Sequence, residues 1–244
     1  VPGTLSTKVI GTNVAAVTEL IYEVYRIDAD TAEETRLYQK KTSLTNGSAT
    51  VELELVNNQD FRVLFWAQVP ENGVYTTASL KEVKLATALN ANAENYAAFA
   101  GQDEITYSEN LAGRTVTLVR PVAQLNIATS AESLKLGEDE NGANAQTTVS
   151  FETTAVTVEG LSTVYNVAEG AAGADEATFT YAAKPVALSE TTLNVNGVDY
   201  AYVAMNYVGF AQPTGDNVTV TYTINTENVG TITNKISSVP AKAN

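Results

Sequence analysis

One pair of acidic side chains has a spacing that would suit catalysis. Glu52 and Glu54 alternate with apolar residues in the segment SATVELELV, so both carboxylates point to the same face of a predicted strand. Two carboxyl groups facing one substrate are what glycoside hydrolysis requires. The apolar residues Val51, Leu53 and Leu55 give the alternative: a strand that buries its apolar face and leaves its glutamates in solvent. This alternation explains both glutamates without a catalytic role.

A second group of oxygen-bearing side chains lies in the segment GEDENG. Asp139 and Asn141 could bind Ca²⁺, which prefers carboxylate and amide oxygens. Their spacing does not match an EF-hand loop. We therefore interpret the segment as a solvated acidic loop and predict no metal site there.

Histidine and cysteine are both absent from the chain. Their absence excludes a Ser-His-Asp triad, a cysteine nucleophile, and thiolate or imidazole metal ligands. We expect no catalytic residues, no cofactor and no bound metal, and we expect that the protein is not an enzyme.

The chain of 244 residues has 28 acidic and 14 basic side chains and a formal net charge of −14. Such a field repels nucleic acid and anionic membrane surfaces. No apolar run is long enough for a membrane helix, and the sequence opens at Val1 without the pattern of a signal peptide. These features leave two alternatives, a cytosolic protein or an exported protein whose targeting peptide has been removed. A composition rich in Thr, Asn, Ala and Val favours the second.

The only tryptophan, Trp66, lies in the most hydrophobic segment of the chain, residues 57–75. Apolar side chains occur at both parities in this segment, which is typical of a central strand covered on both faces. An aromatic surface for stacking sugars is the alternative, and the 12 tyrosines of the chain make it conceivable. Most of these tyrosines occupy inward positions of alternating strands, so we predict that Trp66 is an anchor of the core.

Strand patterns recur along nearly the whole chain and predict an all-β fold of antiparallel sandwiches. They cover residues 18–28, 116–127, 147–161, 192–211 and 216–236. Pro121 interrupts the second of these, where a bulge or an edge position is expected. Only residues 92–100 look helical, with Gly101 as the stop.

Small, flexible and acidic residues at 167–177 predict a domain boundary near Gly170. The predicted domains are an N-terminal β-sandwich, residues 1–170, and a C-terminal β-sandwich, residues 171–244. The second part is short for a sandwich with its own core.

Several core segments occur in an order that resembles a known family. They are FRVLFWAQ (residues 61–68), NYAAFAG (95–101), VTLVRPVAQLNIAT (116–129) and LSTVYNVAEG (161–170), with PGTLSTKVIG before them and YVAMNYVGFA and ISSVP after them. Over essentially its whole length the chain resembles the fimbrillin-like (type V) pilins of Bacteroidales. The resemblance implies two transthyretin-like antiparallel β-sandwich domains and a C-terminal domain that here lacks its last strand.

The same resemblance implies a route of assembly. Such pilins are exported as lipoprotein precursors and are cut after a basic residue, and a strand from a neighbouring subunit then fills the groove that is opened. The matching position here is Lys8 before Val9, with lysine where the family has arginine. Residues 1–8, through Val1 and Leu5, would form the plug strand that precedes this processing site.

Two classes of function follow from this resemblance. The favoured one is a structural pilus subunit on the cell surface, whose partners are other pilin subunits that bind by strand insertion. The alternative is a tip or surface adhesin for a host or bacterial glycan or protein. No nucleic-acid partner is expected, and a membrane is involved only through the lipid anchor of the precursor.

Overall fold

β-Strands make up nearly all of the regular secondary structure in the described part of the chain, which confirms the predicted all-β fold. The structure, a computed structural model, describes residues 16–107, 113–131, 135–138, 144–186 and 192–242. The strands up to residue 130 are β1 (Glu19–Ile27), β2 (Glu34–Ser43), β3 (Gln59–Gln68), β4 (Tyr75–Thr76), β5 (Val83–Leu85), β6 (Ala88–Asn90), β7 (Ala98–Tyr107) and β8 (Val122–Ser130). The later strands are β9 (Lys135–Glu138), β10 (Asn144–Thr148), β11 (Phe151–Leu161), β12 (Val164–Asn166), β13 (Ala171–Ala172), β14 (Ala177–Pro185), β15 (Thr192–Val195), β16 (Val198–Phe210), β17 (Asp216–Thr226) and β18 (Thr231–Ala241).

These strands form four larger sheets and one ribbon. The sheets have the orders β2-β1-β3-β7, β13-β12-β5-β4, β18-β17-β11-β14-β6 and β15-β16-β8, and β9 pairs with β10. Among the described pairs only β14 and β6 are parallel. Two short 3₁₀ turns, Leu80–Glu82 and Glu94–Tyr96, connect strands in the first half of the chain.

The first sandwich packs the sheet β2-β1-β3-β7 against the small sheet β13-β12-β5-β4. Strand β3 is central, because it pairs with β1 on one side and with β7 on the other. Its side chains from Val63 to Gln68 are all buried, as the apolar residues at both parities predicted. Trp66 is fully buried, and its ring meets Tyr75 at 5.2 Å between centroids in an edge-to-face contact. The prediction that Trp66 is a core anchor is confirmed.

The second sandwich packs the sheet β18-β17-β11-β14-β6 against β15-β16-β8. The Tyr181 hydroxyl on β14 donates to the carbonyl of Tyr207 on β16 at 2.9 Å. A Cβ on Gly209 would lie 2.4 Å from the ring of Phe179, so a glycine is needed where β16 packs against β14.

Two predicted elements have different structures. Residues 92–100 are not a helix: Glu94–Tyr96 is a single 3₁₀ turn, and β7 begins at Ala98. Ala98 and Ala100 are buried while Phe99 is only half-buried, so pairing with β3 imposes a period of two that outweighs the helix propensity of alanine. The strand predicted at 116–127 is also divided, because residues 116–119 make one bridge to β7 and β8 begins only at Val122.

The chain crosses from the first sandwich to the second at Arg120 and Pro121. Val119 bridges Ala100 of β7, whereas β8, directly after Pro121, pairs with β16. Proline cannot donate to a ladder, so it separates the two pairings. The Arg120 guanidinium is buried and stacks over Phe99 at 5.2 Å and over Tyr207 at 5.4 Å, one ring from each sandwich.

Every described strand of residues 171–244 shares a sheet with a strand from before Gly170. Strand β11, before Gly170, pairs with β14 and β17, which follow it, and β8 pairs with β16. Gly170 itself lies in the turn between β12 and β13, with a φ of +63° that favours glycine. The sheets therefore extend across the boundary predicted near Gly170, because strands from both sides of it complete the second sandwich.

Candidate functional site

An apolar groove of about 360 Å³ opens at one end of the first sandwich. Its walls come from the loop after β2, from the end of β3, from the start of β7 and from the segment 115–118. The lining residues are Val17, Leu44, Gly47, Ser48, Ala67, Phe99, Thr115, Val116, Thr117 and Leu118.

Two local features of the sequence shape this groove. A Cβ on Gly101 would lie 2.7 Å from Leu118 Cδ2, so the missing side chain lets the segment 116–118 approach β7 closely. On the other wall a tight turn carries Asn46 and Gly47 with φ of +51° and +75°, the left-handed conformation that the Asn-Gly pair adopts readily. The result is a slot between two chain segments that are not bonded to each other as a sheet.

The N-terminal end of the described chain lies at this groove. Val17 lines it and is 3% exposed. The described part of the chain therefore begins beside the slot. The predicted processing site, Lys8 and Val9, and the predicted plug residues, Val1 and Leu5, lie outside the described residues.

The predicted acidic candidates do not form a site in the described structure. Glu54 is exposed and forms an ion pair with Lys40 at 3.2 Å, and Glu52 is exposed as well. Residues 51–56 alternate between half-buried and exposed as predicted, although they are not assigned to a strand. Asp139 and Asn141 lie outside the described residues.

The sequence did not predict that the carboxylate of Glu23 is buried. This side chain is fully buried, and four groups donate to it: the Tyr25 hydroxyl at 2.7 Å, Arg36 Nη1 at 2.8 Å, Gln39 Nε2 at 3.1 Å and the backbone N–H of Leu80 at 3.0 Å. Burial, with the hydrogen bond to Glu23, raises the pKa of Tyr25 to about 12. Because every donor is supplied by the protein, Glu23 ties β1 and β2 to the turn at Leu80 and is not free to act on a substrate.

A serine–aspartate pair lies beside the small sheet: Ser162 precedes β12 and Asp175 follows β13. The Ser162 hydroxyl donates to Asp175, and Thr163 donates to the same carboxylate through its hydroxyl at 2.7 Å and its N–H at 3.0 Å. Burial alone would raise the pKa of Asp175, but these hydrogen bonds outweigh it and lower the pKa. A nucleophilic serine needs a base that can take its proton. An ionised aspartate held by three donors serves instead to fix the loop between β13 and β14 to the turn between β11 and β12.

The outer face of the sheet β18-β17-β11-β14-β6 is covered by threonine side chains. Thr180, Thr157 and Thr221 are successive cross-strand neighbours on β14, β11 and β17. The threonines of this face are Thr153, Thr157, Thr178, Thr180, Thr219, Thr221, Thr223, Thr231 and Thr233. Two charges on the same face, Glu159 and Lys235, lie 3.7 Å apart and compensate each other. We call this surface the threonine face.

Among the described residues, no three Asp or Glu side chains lie close enough together to hold a metal ion. Within the described ranges, no helix has the length and apolar character needed to cross a membrane.

Comparison with known proteins gives a family for this all-β sandwich protein. The model of DUF6562, a family of unknown function, matches residues 7–244. The chain therefore belongs to that family. No curated protein matches it.

Two solved structures from Bacteroides thetaiotaomicron VPI-5482 have similar folds. One is a candidate adhesin, with a TM-score of 0.51 and 12% identity over 92% of this chain and 72% of the other. The second is described as candidate polysaccharide-binding proteins of DUF1812, with a TM-score of 0.51 and 11% identity over 88% of this chain and 70% of the other. At such identities the likeness shows the fold alone. None of these comparisons names a fimbrillin, and membership of the fimbrillin-like pilins stays a prediction.

Proposed function

We propose that the protein is a structural subunit of a cell-surface fibre, a fimbria, and that its groove is the site where a strand of a neighbouring subunit is inserted. The observation that carries this proposal is the apolar groove at which the described chain begins, with Val17 in its lining. The candidate adhesin among the similar structures supports a surface location.

An inserted strand would contribute two kinds of contact at this groove. Its backbone would pair with the segment 115–118, which lies beside β7 and precedes the bridge between Val119 and Ala100. Its alternating side chains would fill the space between Phe99, Val116 and Leu118. Strand addition of this kind combines hydrogen-bond affinity with side-chain specificity.

The N-terminal segment would occupy the groove before assembly. Eight residues in extended form span about 26 Å, roughly the length of one strand in a sandwich. With Val1 and Leu5 as the apolar contacts, residues 1–8 would keep the precursor monomeric. Cleavage between Lys8 and Val9 would then free the groove for a neighbour. In this proposal the subunit reaches the surface as a lipoprotein precursor and has no enzymatic activity.

A truncated chain tests the proposal directly. The variant starting at Val9 should bind a synthetic peptide with the sequence of residues 1–8, measured by fluorescence anisotropy, and the full chain should not. A peptide with Leu5→Asp is the matched control and should not bind either variant. If the truncated chain ignores both peptides, the strand-insertion proposal fails.

Two adjacent residues, one lining the groove and one outside it, provide a test of the binding location. Leu118 lines the groove, whereas the adjacent Val119 is 56% exposed and points away from it. In the truncated chain, Leu118→Lys should weaken peptide binding at least about tenfold, because a charge would be buried against the inserted strand. Val119→Lys should leave binding unchanged. Equal effects of the two substitutions would contradict the assigned location.

We propose polysaccharide binding by the threonine face as a second candidate function. The geometry of this face favours such binding. The face offers hydroxyl groups in rows about 4.8 Å apart, the spacing between neighbouring strands. Glu159 and Lys235 on this face compensate each other, which suits a neutral, hydroxyl-rich glycan. The similar DUF1812 structure is described as polysaccharide-binding.

A glycan array with purified protein tests this second candidate. Thr180→Glu on the face should abolish a positive signal. Thr35→Glu on the exposed edge strand β2 adds the same charge elsewhere and should leave it intact. The candidate fails if the protein binds no glycan or if both variants lose binding together.

A further inference from the structure

Among the strands that the structure describes, β18 forms one edge of the five-stranded sheet and pairs with β17 alone. It runs for 11 residues, and all from Thr231 to Ser238 are exposed. Ile232 and Ile236 are 37% and 44% exposed. Such an edge offers a row of unpaired N–H and C=O groups that can pair with another strand.

One edge of the sheet β2-β1-β3-β7, strand β2, is protected by charged side chains, whereas the edge strand β18 is not. Strand β2 carries Glu34, Arg36, Lys40 and Lys41 along its length. Charged side chains on an edge strand are a common means of preventing edge pairing. Strand β18 has a single charge, Lys235, which leans across β17 to Glu159 on the outer face. In a chain of net charge −14, an edge strand without carboxylates adds no repulsion of its own between two copies.

The pairing with β17 determines which backbone groups of β18 are free. The N–H of Thr226 donates to the carbonyl of Gly230 at 3.1 Å, which makes this the first hydrogen-bonded pair of the hairpin. In an antiparallel ladder hydrogen-bonded pairs recur at every second residue. Ile232 and Asn234, which are paired with Ile224 and Tyr222, therefore direct their N–H and C=O groups towards β17. The intervening residues of β18 direct theirs outwards.

These free groups restrict the registers available to a second copy. Two β18 strands related by a two-fold axis pair antiparallel, and residues with outward groups must face one another. An axis through Asn234 satisfies this condition, because it places Thr233 opposite Lys235 of the second copy. It also places Ile232 opposite Ile236 of the second copy in a non-hydrogen-bonded pair, where side chains are closest.

We propose that two copies of this chain associate through their β18 strands, antiparallel and centred on Asn234, to form one continuous sheet of ten strands. Four isoleucine side chains, Ile232 and Ile236 of each copy, lose their exposure to water at this joint. Lys235 faces a threonine and not another lysine. The contact is separate from the groove of the first sandwich, so it stands whether or not strand insertion takes place there.

Disulfide cross-linking of the 244-residue chain tests the register. The natural sequence has no cysteine, so a single substitution reports on one position only. Asn234→Cys would place two thiols on the two-fold axis, where Cα atoms of about 4.5 Å separation suit a disulfide. Leu37→Cys, on the exposed edge strand β2, is the matched control. The first variant should form covalent dimers at least about tenfold faster than the second.

Sedimentation of variants without cysteine tests the association itself. The double substitution Ile232→Lys and Ile236→Lys places like charges opposite each other in the proposed register and should raise the dimer dissociation constant at least about tenfold. Thr178→Lys and Thr180→Lys add the same charge to β14 and should leave it unchanged. A natural chain that stays monomeric at all concentrations overturns the proposal. So does equal cross-linking of Asn234→Cys and Leu37→Cys, which would indicate random collision or another partner surface.

Discussion

Replacing Trp66 with alanine measures how much of the stability depends on the aromatic core of the first sandwich. The Trp66 side chain is fully buried and lies 5.2 Å from Tyr75, 6.4 Å from Tyr165 and 6.3 Å from Phe210 between ring centroids. A tryptophan buries about 200 Å², which at about 25 cal/mol per Å² corresponds to about 5 kcal/mol. Large-to-small substitutions of aromatic core residues cost about 3–5 kcal/mol. We expect Trp66→Ala to lower the free energy of unfolding by about 4 kcal/mol.

The assay must not depend on the residue that is removed. Trp66 is the only tryptophan, so urea unfolding should be followed by far-ultraviolet circular dichroism in all variants. Trp66→Phe is the matched control: it keeps an aromatic ring but loses the indole N–H that donates to Gln68 Oε1 at 3.0 Å. Its expected loss is about 1–3 kcal/mol, the cost of an unsatisfied buried acceptor. A loss below about 1 kcal/mol for Trp66→Ala would refute the assignment of this residue to the core.

Two further predictions concern alkaline pH and close packing. Burial and Glu23 raise the pKa of Tyr25 to about 12, so stability that is fully present below about pH 10 should be lost as the pH rises to about 12. The loss of unfolding free energy between pH 9 and pH 12, measured by urea unfolding, should be about 2–3 kcal/mol smaller in Tyr25→Phe than in the natural protein. An equal loss in the two proteins would contradict this prediction. Gly209→Ala should destabilise the protein by about 1–3 kcal/mol in thermal unfolding, because the new methyl group would overlap Phe179. Gly113→Ala, in open space, should be neutral, and equal effects would argue against the packing of the second sandwich.

Side-chain periodicity predicted the strands well where the burial of a side chain depends only on which face of its own sheet it occupies. The mixed parity around Trp66 predicted a central strand, because apolar residues on both faces have no other stable location. Residues 92–100 were misjudged because alanine and asparagine carry little information on periodicity. Their partner, β3, is distant in sequence, and only that pairing imposes the extended form.

The groove and the buried carboxylate were harder to predict for a different reason. Phe99 and Leu118 line one cavity although neither is unusual in its own segment. Glu23 reads as the polar residue of an amphipathic strand until Arg36 and the turn at Leu80 are placed beside it. Pro121 was correctly recognised as an interruption, but the sequence did not show that the chain changes sheets there. Such features depend on contacts between segments, which local patterns do not contain.

Sharing of sheets between distant segments has a consequence for how the protein unfolds. In the first sandwich, β5 pairs with β12, which follows β11, the middle strand of the second sandwich. Strand β6, which directly follows β5, in turn pairs with β14 of the second sandwich. Neither sandwich can lose these strands without opening the other, so the protein should melt in one cooperative transition and not as two domains in sequence. The many contacts between residues far apart in the chain also make folding slow, because long loops must close before most of the native pairing forms.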